Sequence, residues 1–219
     1  MSRDPMVGLT LPALMLITDR HLAGGEDALV AAVGEAVAGG VNAVQLREKD
    51  LSPAELLSLA VRLREVIAER AVFFVNGSLE VALAVGADGV HLPEAAQMVD
   101  RPERSFVIGR SVHSRDAAER AWAECSDYLI AGRVYETESH PGAKSGGPQL
   151  IEAIAGSVAL PVLAVGGITV GRVERVMRAG ASGVAVISAV LGTRSPRDAA
   201  RELREAVEAG WMGAKAMRL

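Results

Sequence analysis

The sequence predicts an α/β protein, a single-domain (β/α)8 barrel of the TIM type. Three observations carry that expectation. Eight short apolar runs recur along the 219 residues, each near-continuous, as buried strands of a parallel sheet covered on both faces must be. Between most of them lie stretches rich in Ala, Leu, Glu and Arg with helical spacing. One joint appears three times, in VAGGVNAVQL (37–46), AVGADGVHL (84–92) and RAGASGVAVI (178–187). Each is a helix end, a glycine turn and a strand. Glycine allows the left-handed conformation that stops a helix, and the repetition implies a repeated βα unit. A doubly wound open sheet is the rival fold. It usually has fewer strands and a G-x-G-x-x-G turn after the first, where this chain has RHLAGGEDA.

Taken in order, the strands are LMLITD (14–19), AVQLRE (43–48), VFFVN (72–76), GVHL (89–92), FVIGRSV (106–112), DYLIAGRV (127–134), PVLAVGG (161–167) and GVAVIS (183–188). The clearest helix is SPAELLSLAVRLREVIAER (52–70), with Ser52 as N-cap and Pro53 in its first turn. No Pro/Gly/Ser-rich linker divides the chain, so one domain is expected over 1–219, with a lead-in over 1–12 and a tail over 210–219. Trp211 and Met212 give that tail a means of docking on the barrel or on a second copy, so a homo-oligomer is compatible with the sequence.

Composition narrows the function. Hydrophobic residues make up 50% and aromatics 3%, so the core is aliphatic. Net charge is −4 with both signs scattered, which argues against a nucleic-acid partner, because neutralising phosphates takes clustered Lys and Arg. The opening MSRDPMVGLTLPALMLITD reads as a poor signal peptide, and no apolar run reaches the length of a membrane span. One cysteine, Cys125, leaves no internal disulfide and no Cys-cluster metal site. It ends a helical stretch and is expected to be a small core residue. A cytoplasmic location is expected.

A barrel places its site at the carboxyl ends of the strands. Collected there are Thr18 and Asp19 from the first strand, and Gln45, Arg47 and Lys49, alternate residues of the second. The third, fourth and fifth add Asn76, His91, and Ser111 with His113. The sixth runs into GRVYETESHPGAKSGG (132–147), a loop carrying Arg133, Glu136, His140 and Lys144. The last two end in GGIT (166–169) and ISAVLG (187–192). Barrels often bind phosphate between these two loops. Gly166 and Gly167 permit close backbone approach to an anion and Ser188 adds a hydroxyl, or the glycines serve only tight turns. Gln45, Arg47 and Lys49 would attract a second anion, unless they form a surface salt-bridge set with Glu48 and Asp50. Together these features describe a small substrate with two acidic ends.

With these residues aligned, the chain resembles the thiamine phosphate synthase family, including its thiazole tautomerase (TenI-like) branch. The likeness runs from LITD through QLREKD, GADGVHL, GRSVH and the 132–147 loop to PVLAVGGIT and GVAVISAV. The resemblance implies this barrel and one of two reactions. The synthase joins an aminopyrimidine diphosphate to a thiazole phosphate with magnesium; the tautomerase shifts a proton on a thiazole phosphate carboxylate. It assigns Gln45, Arg47 and Lys49 to the pyrimidine diphosphate, with Asn76 and Ser111 as further contacts. It assigns the thiazole phosphate to Thr137, Ser139 and the backbone of Gly167, Ile187 and Ser188.

Three departures set the expectation. Gly77 and Ala95/Ala96 stand where synthases carry their magnesium carboxylates, His140 replaces a lysine, and Arg133 replaces the tautomerase histidine. Magnesium asks for hard carboxylate oxygens, whereas proton transfer asks for no metal. The leading expectation is therefore a tautomerase-type enzyme that requires no cofactor. His140 would be the acid–base and Arg133 an anchor for carboxylate or phosphate, since a guanidinium stays protonated. Thiamine phosphate synthase, with Mg2+, is the first alternative, and a non-catalytic thiazole-phosphate binder the second.

Overall fold

The structure is a computed structural model that describes residues 8–136 and 145–216. Eight parallel strands close into a barrel in chain order. They are β1 (Ala13–Ile17), β2 (Ala43–Leu46), β3 (Val72–Asn76), β4 (Gly89–Leu92), β5 (Val107–Val112), β6 (Tyr128–Ala131), β7 (Val162–Val165) and β8 (Gly183–Val186). β8 returns to β1 with Ala13 opposite Gly183 and Leu16 opposite Val186. All eight expected strands are present. Most stop earlier than their apolar runs, which leaves Thr18, Asp19, Arg47 and Lys49 in loops beyond the strand ends.

The helices outside are α1 (Arg20–Ala23), α2 (Glu26–Ala38), α3 (Pro53–Ile67), α4 (Leu79–Ala84), α5 (Arg115–Ala123), α6 (Gly147–Ala155), α7 (Val170–Arg178), α8 (Ser188–Leu191) and α9 (Pro196–Ala216). α3 starts as the sequence predicts. Ser52 Oγ accepts from the Glu55 N–H, Glu55 returns a carboxylate to the Ser52 N–H at 2.9 Å, and Pro53 opens the helix. The β4–β5 connection departs from strict alternation and carries no helix among the described residues. Arg110, 4% exposed, holds it instead, its Nη1 donating to the Glu94 and Ala96 carbonyls at 3.1 and 2.8 Å.

Strand alternation sorts the apolar residues into two cores. Outward-facing Leu14, Leu16, Val44, Phe73, Val75 and Val90 pack with the helices. Inward-facing Ala13, Met15, Ile17, Ala43, Phe74, Val107, Tyr128, Ile130, Leu163 and Ala185 fill the barrel. Each fully buried Leu, Ile, Val, Phe or Met stabilises the fold by roughly 1.5–3 kcal/mol.

The repeated joint has a fuller structure than its glycine. Gly40, Gly86 and Gly180 stop their helices at φ 109°, 63° and 105°. Cys125 occupies the same place before β6 at φ 69° and is exposed. It is therefore a helix terminator rather than the small core residue that the sequence led one to expect. Two residues further on, a side chain ties this turn to the start of the preceding strand. Asn42 accepts from the Leu14 N–H at 2.8 Å. Asp88 and Asp127 accept from the Phe73 and Ile108 N–H groups, both at 2.7 Å. A strand start at the closed end of the barrel has no ladder partner for this N–H, and the repeated Asn or Asp supplies one.

Residues 210–216 continue α9. Trp211 packs against the outer core, Lys215 lies over its ring at 4.9 Å, and Met212 points outward at 67% exposure.

Candidate active site

β2 and β3 present an amide pair at the mouth. Gln45 is 1% exposed, and its Oε1 accepts from Asn76 Nδ2 at 3.4 Å. Asn76 also donates to the His91 carbonyl at 3.4 Å. Beyond Gln45 the chain turns, held by Thr18, whose Oγ1 accepts from the Arg47 N–H at 2.9 Å. Glu48 and Asp50 do not pair with the neighbouring cations. Arg20, from α1, takes both at 3.1 and 2.6 Å, and His21 adds a contact to Asp50 at 3.0 Å. The hydrogen bonds from Arg20 and then His21 hold the Asp50 carboxyl below the usual carboxylate range. Among the described residues the side chains of Arg47 and Lys49 have neither a hydrogen bond nor an ion pair. The loop after β2 thus carries two cations without counter-charges among the described residues, next in sequence to the buried Gln45 of a part-buried amide pair.

β4 to β6 supply a second group. His91 is 1% exposed; its Nε2 lies 2.8 Å from Ser111 Oγ and its Nδ1 3.2 Å from the Tyr128 hydroxyl. Burial, then the charges of Arg47 and Arg110, lowers its pKa to about 3, so the ring is neutral near pH 7. His113 is tied to Glu94. The Glu94 carboxylate accepts its N–H at 2.8 Å and contacts its Nδ1 at 2.7 Å.

The third group surrounds the loop base. The Gly132–Arg133 peptide is cis. Val134 and Tyr135 donate to Val165 and Gly166 carbonyls at 2.9 and 3.0 Å, and Gly146 and Gly147 donate back to Arg133 and Val134, both at 2.9 Å. Gly166 and Gly167 have φ 101° and 62°. A Cβ at Gly166 would lie 2.6 Å from Arg133 Cγ, and one at Gly167 2.6 Å from the Glu136 carbonyl. These glycines admit the incoming loop. Ile187 ends the β8 run and Ser188 begins α8. Thr137, Ser139 and His140, the other expected site residues, lie outside the described residues, as does Lys144.

The donor set at the β3 and β4 ends does not fit a protein-held magnesium ion. Gly77, Ala95 and Ala96 offer no side-chain oxygen, and the Glu94 carboxylate is engaged by His113. Among the described residues no group of three or more His, Cys, Asp or Glu is placed to hold a metal.

The profile of the family described as thiamine monophosphate synthase matches residues 14–190. The chain belongs to the thiamine monophosphate synthase family. Its relatives include the thiamine-phosphate synthase of Methanoculleus marisnigri, 45% identical over 180 residues, 80% of this chain and 85% of that one. The Pyrococcus furiosus thiamine-phosphate synthase is 39% identical over 199 residues, 89% of this chain and 94% of that one. A solved structure of the thiamine phosphate pyrophosphorylase from Pyrococcus furiosus superposes with a TM-score of 0.79 at 38% identity, covering 90% of this chain and 96% of the other. A 3-hexulose-6-phosphate synthase, 19% identical with a TM-score of 0.66, shares the fold.

Within this thiamine monophosphate synthase family barrel, the structure brings Gln45, Asn76, His91 and Ser111, all picked out by the strand-end rule, into contact with one another or with Tyr128; that rule did not pick out Tyr128 or Arg20. Arg20 opens α1 just after its N-cap Asp19, and nothing local marks it as the partner of acids 28 and 30 residues away. Tyr128 has a signal only in retrospect. Gly109 lies opposite it on β5, and a Cβ there would overlap the Tyr128 ring. No helix of the described residues is long and apolar enough to cross a membrane.

Proposed function

We propose that this member of the family is a thiamine-phosphate synthase, joining an aminopyrimidine diphosphate to a thiazole phosphate. One observation carries the reading: Arg47 and Lys49, which follow Gln45 of the Gln45–Asn76 amide pair in the loop after β2, have charges that no described residue neutralises. A tautomerase would set a single carboxylate against this pair of cations, whereas the coupling reaction sets the larger charge of a diphosphate there, which two uncompensated cations match better. The relatives' names support the same reading over the proton shift expected from the sequence. In the coupling, diphosphate leaves with the electron pair of the bond it breaks. Arg47 and Lys49 neutralise the charge that accumulates on it, while Gln45 and Asn76 orient the pyrimidine end. The thiazole phosphate is assigned to the loops after β7 and β8, with Gly167, Ile187 and Ser188 beside Thr137 and Ser139. No step is routed through a metal, because the donor set does not fit one.

The test is thiamin phosphate formation by purified protein from the two substrates, with magnesium and with a chelator. Product formation that falls about 10-fold or more in kcat/KM for Lys49→Gln, the loss of one charge-assisted contact, supports the assignment. The second reading rests on one observation, the engagement of Glu94 with His113 at the metal position. It predicts no coupling. Instead, thiazole phosphate carboxylate would isomerise with deuterium uptake in heavy water, and His140→Gln would slow it by about 10²–10⁴-fold. Binding of the thiazole phosphate without either reaction would make the protein a non-catalytic binder.

A further inference from the structure

A chain of three polar side chains from consecutive strands runs from the barrel interior to the mouth. Tyr128 on β6 is 1% exposed, with its ring 5.2 Å from Phe74 and 5.6 Å from His91. Gly109 on β5 leaves the space its ring occupies. The side chains around it are those of the inner core, Met15, Ile17, Phe74, Val107, Ile130 and Leu163 among them, and none of these carries an oxygen or nitrogen. Burial keeps the phenol protonated. Its proton therefore needs an acceptor, and among the described residues the hydroxyl has one polar partner, His91 Nδ1 at 3.2 Å.

This sets a direction. A neutral imidazole has one donor and one acceptor nitrogen. With Nδ1 accepting from Tyr128, the ring proton belongs on Nε2, which lies 2.8 Å from Ser111 Oγ. Ser111 is then an acceptor toward His91, and its own O–H is free to donate. Ser111 is half-buried and sits one strand position from the loop, so that O–H is available to the mouth.

We propose that Tyr128 and His91 form a one-way hydrogen-bond chain that holds His91 as its Nε2–H tautomer and presents Ser111 as a hydrogen-bond donor to an acceptor atom of the substrate. The acceptor class is a phosphate oxygen or an unprotonated ring nitrogen. Tyr128 and His91 are positioning residues, acting through Ser111. The tautomer stands independently of the reaction, whereas the delivery to substrate rests on the functional reading above.

The experiment is long-range nitrogen–proton NMR of the four histidines in the intact, unliganded protein, with His91 assigned by the signal lost in His91→Gln. The expected result is an acceptor-type Nδ1 and a protonated Nε2, unchanged between pH 5 and 8. Tyr128→Phe removes the donor, so Nδ1 no longer fixes the ring proton, Ser111 can bond Nε2 in either sense, and the Nε2–H form loses its exclusive population. Ser111→Ala leaves the tautomer as in the parent protein, which a chain running the other way would not allow. A protonated Nδ1 or a charged ring in the parent protein overturns the proposal, and so does a tautomer that follows Ser111→Ala rather than Tyr128→Phe. The delivery to substrate is read by calorimetric affinity for inorganic pyrophosphate and thiazole phosphate. Tyr128→Phe should weaken one of them about 5- to 10-fold, and Ser111→Ala by a similar factor. Unchanged affinity for both overturns the delivery to substrate. If coupling activity itself is absent, the tautomer and binding results still decide.

Discussion

His91 gives the barrel mouth a pH-dependent cost. Its pKa is lowered from 6.5 to about 3 by burial and by Arg47 and Arg110. The unfolded chain therefore binds a proton below pH 6.5 that the folded chain refuses. The sign follows: this group lowers stability as pH falls from 6.5 toward 3, at up to about 1.4 kcal/mol per unit. Between pH 6.5 and 5 the cost approaches about 2 kcal/mol. Urea unfolding of the parent and of His91→Gln at both pH values measures it; the variant should lose less stability over that interval, and equal losses would remove the assignment. Gln45, Asn76, His91 and Ser111 were legible in the sequence because a polar residue ending an apolar run has few other reasons to be there. Tyr128 was not, because its neighbours on other strands depend on register, which no local pattern contains. The commitment of Glu48 and Asp50 to Arg20 was hidden for the same reason, and it is what leaves Arg47 and Lys49 uncompensated.

At the scale of elements, the βα joint was read by its glycine, and that signal failed at Ala68, which ends α3 at φ 49°, and at Cys125. A residue with a Cβ in the left-handed region is strained by roughly 1–2 kcal/mol, and relief on Cys125→Gly is partly offset by glycine's greater freedom in the unfolded chain. A net gain of about 0.5–1 kcal/mol is expected, raising Tm by about 1–4 °C. A fall in Tm would show that the Cys125 side chain contributes more than its backbone costs. The partner feature, Asn42, Asp88 or Asp127 reaching back to the preceding strand, could not be read from the sequence, since Asn and Asp before a strand are common turn residues. The eight strands were legible for a plainer reason: a parallel strand buried on both faces must be apolar throughout. The missing helix between β4 and β5 was not legible, because its place is taken by contacts to Arg110 rather than by a pattern of its own.

For the whole molecule, the decisive feature is the seam. β8 pairs with β1, and over the same line α9 packs between α2 and α7. Arg204 of α9 donates to the Pro12 carbonyl at 2.9 Å. Gly39, at the end of α2, lets the start of α9 approach. A Cβ there would overlap the Arg197 carbonyl and lie 2.9 Å from Ala200 Cβ. Gly39→Ala should destabilise the fold by about 1–3 kcal/mol through overpacking. Gly171→Ala, in α7 with nothing within 4 Å, should be neutral or stabilising by up to about 1 kcal/mol. Thermal denaturation of the two variants gives the comparison, and equal effects would mean that Gly39 does not set the α2–α9 distance. The seam also governs how the protein is made. β1 is synthesised first and its partner Gly183–Val186 more than 160 residues later. At ~5–20 residues per second, an unpaired edge of Ala13–Ile17 persists for roughly 10–30 seconds on the ribosome. Through that interval the nascent chain carries an apolar strand able to pair with the wrong neighbour, so its yield in a cell depends on whatever shields that edge until the last strand arrives.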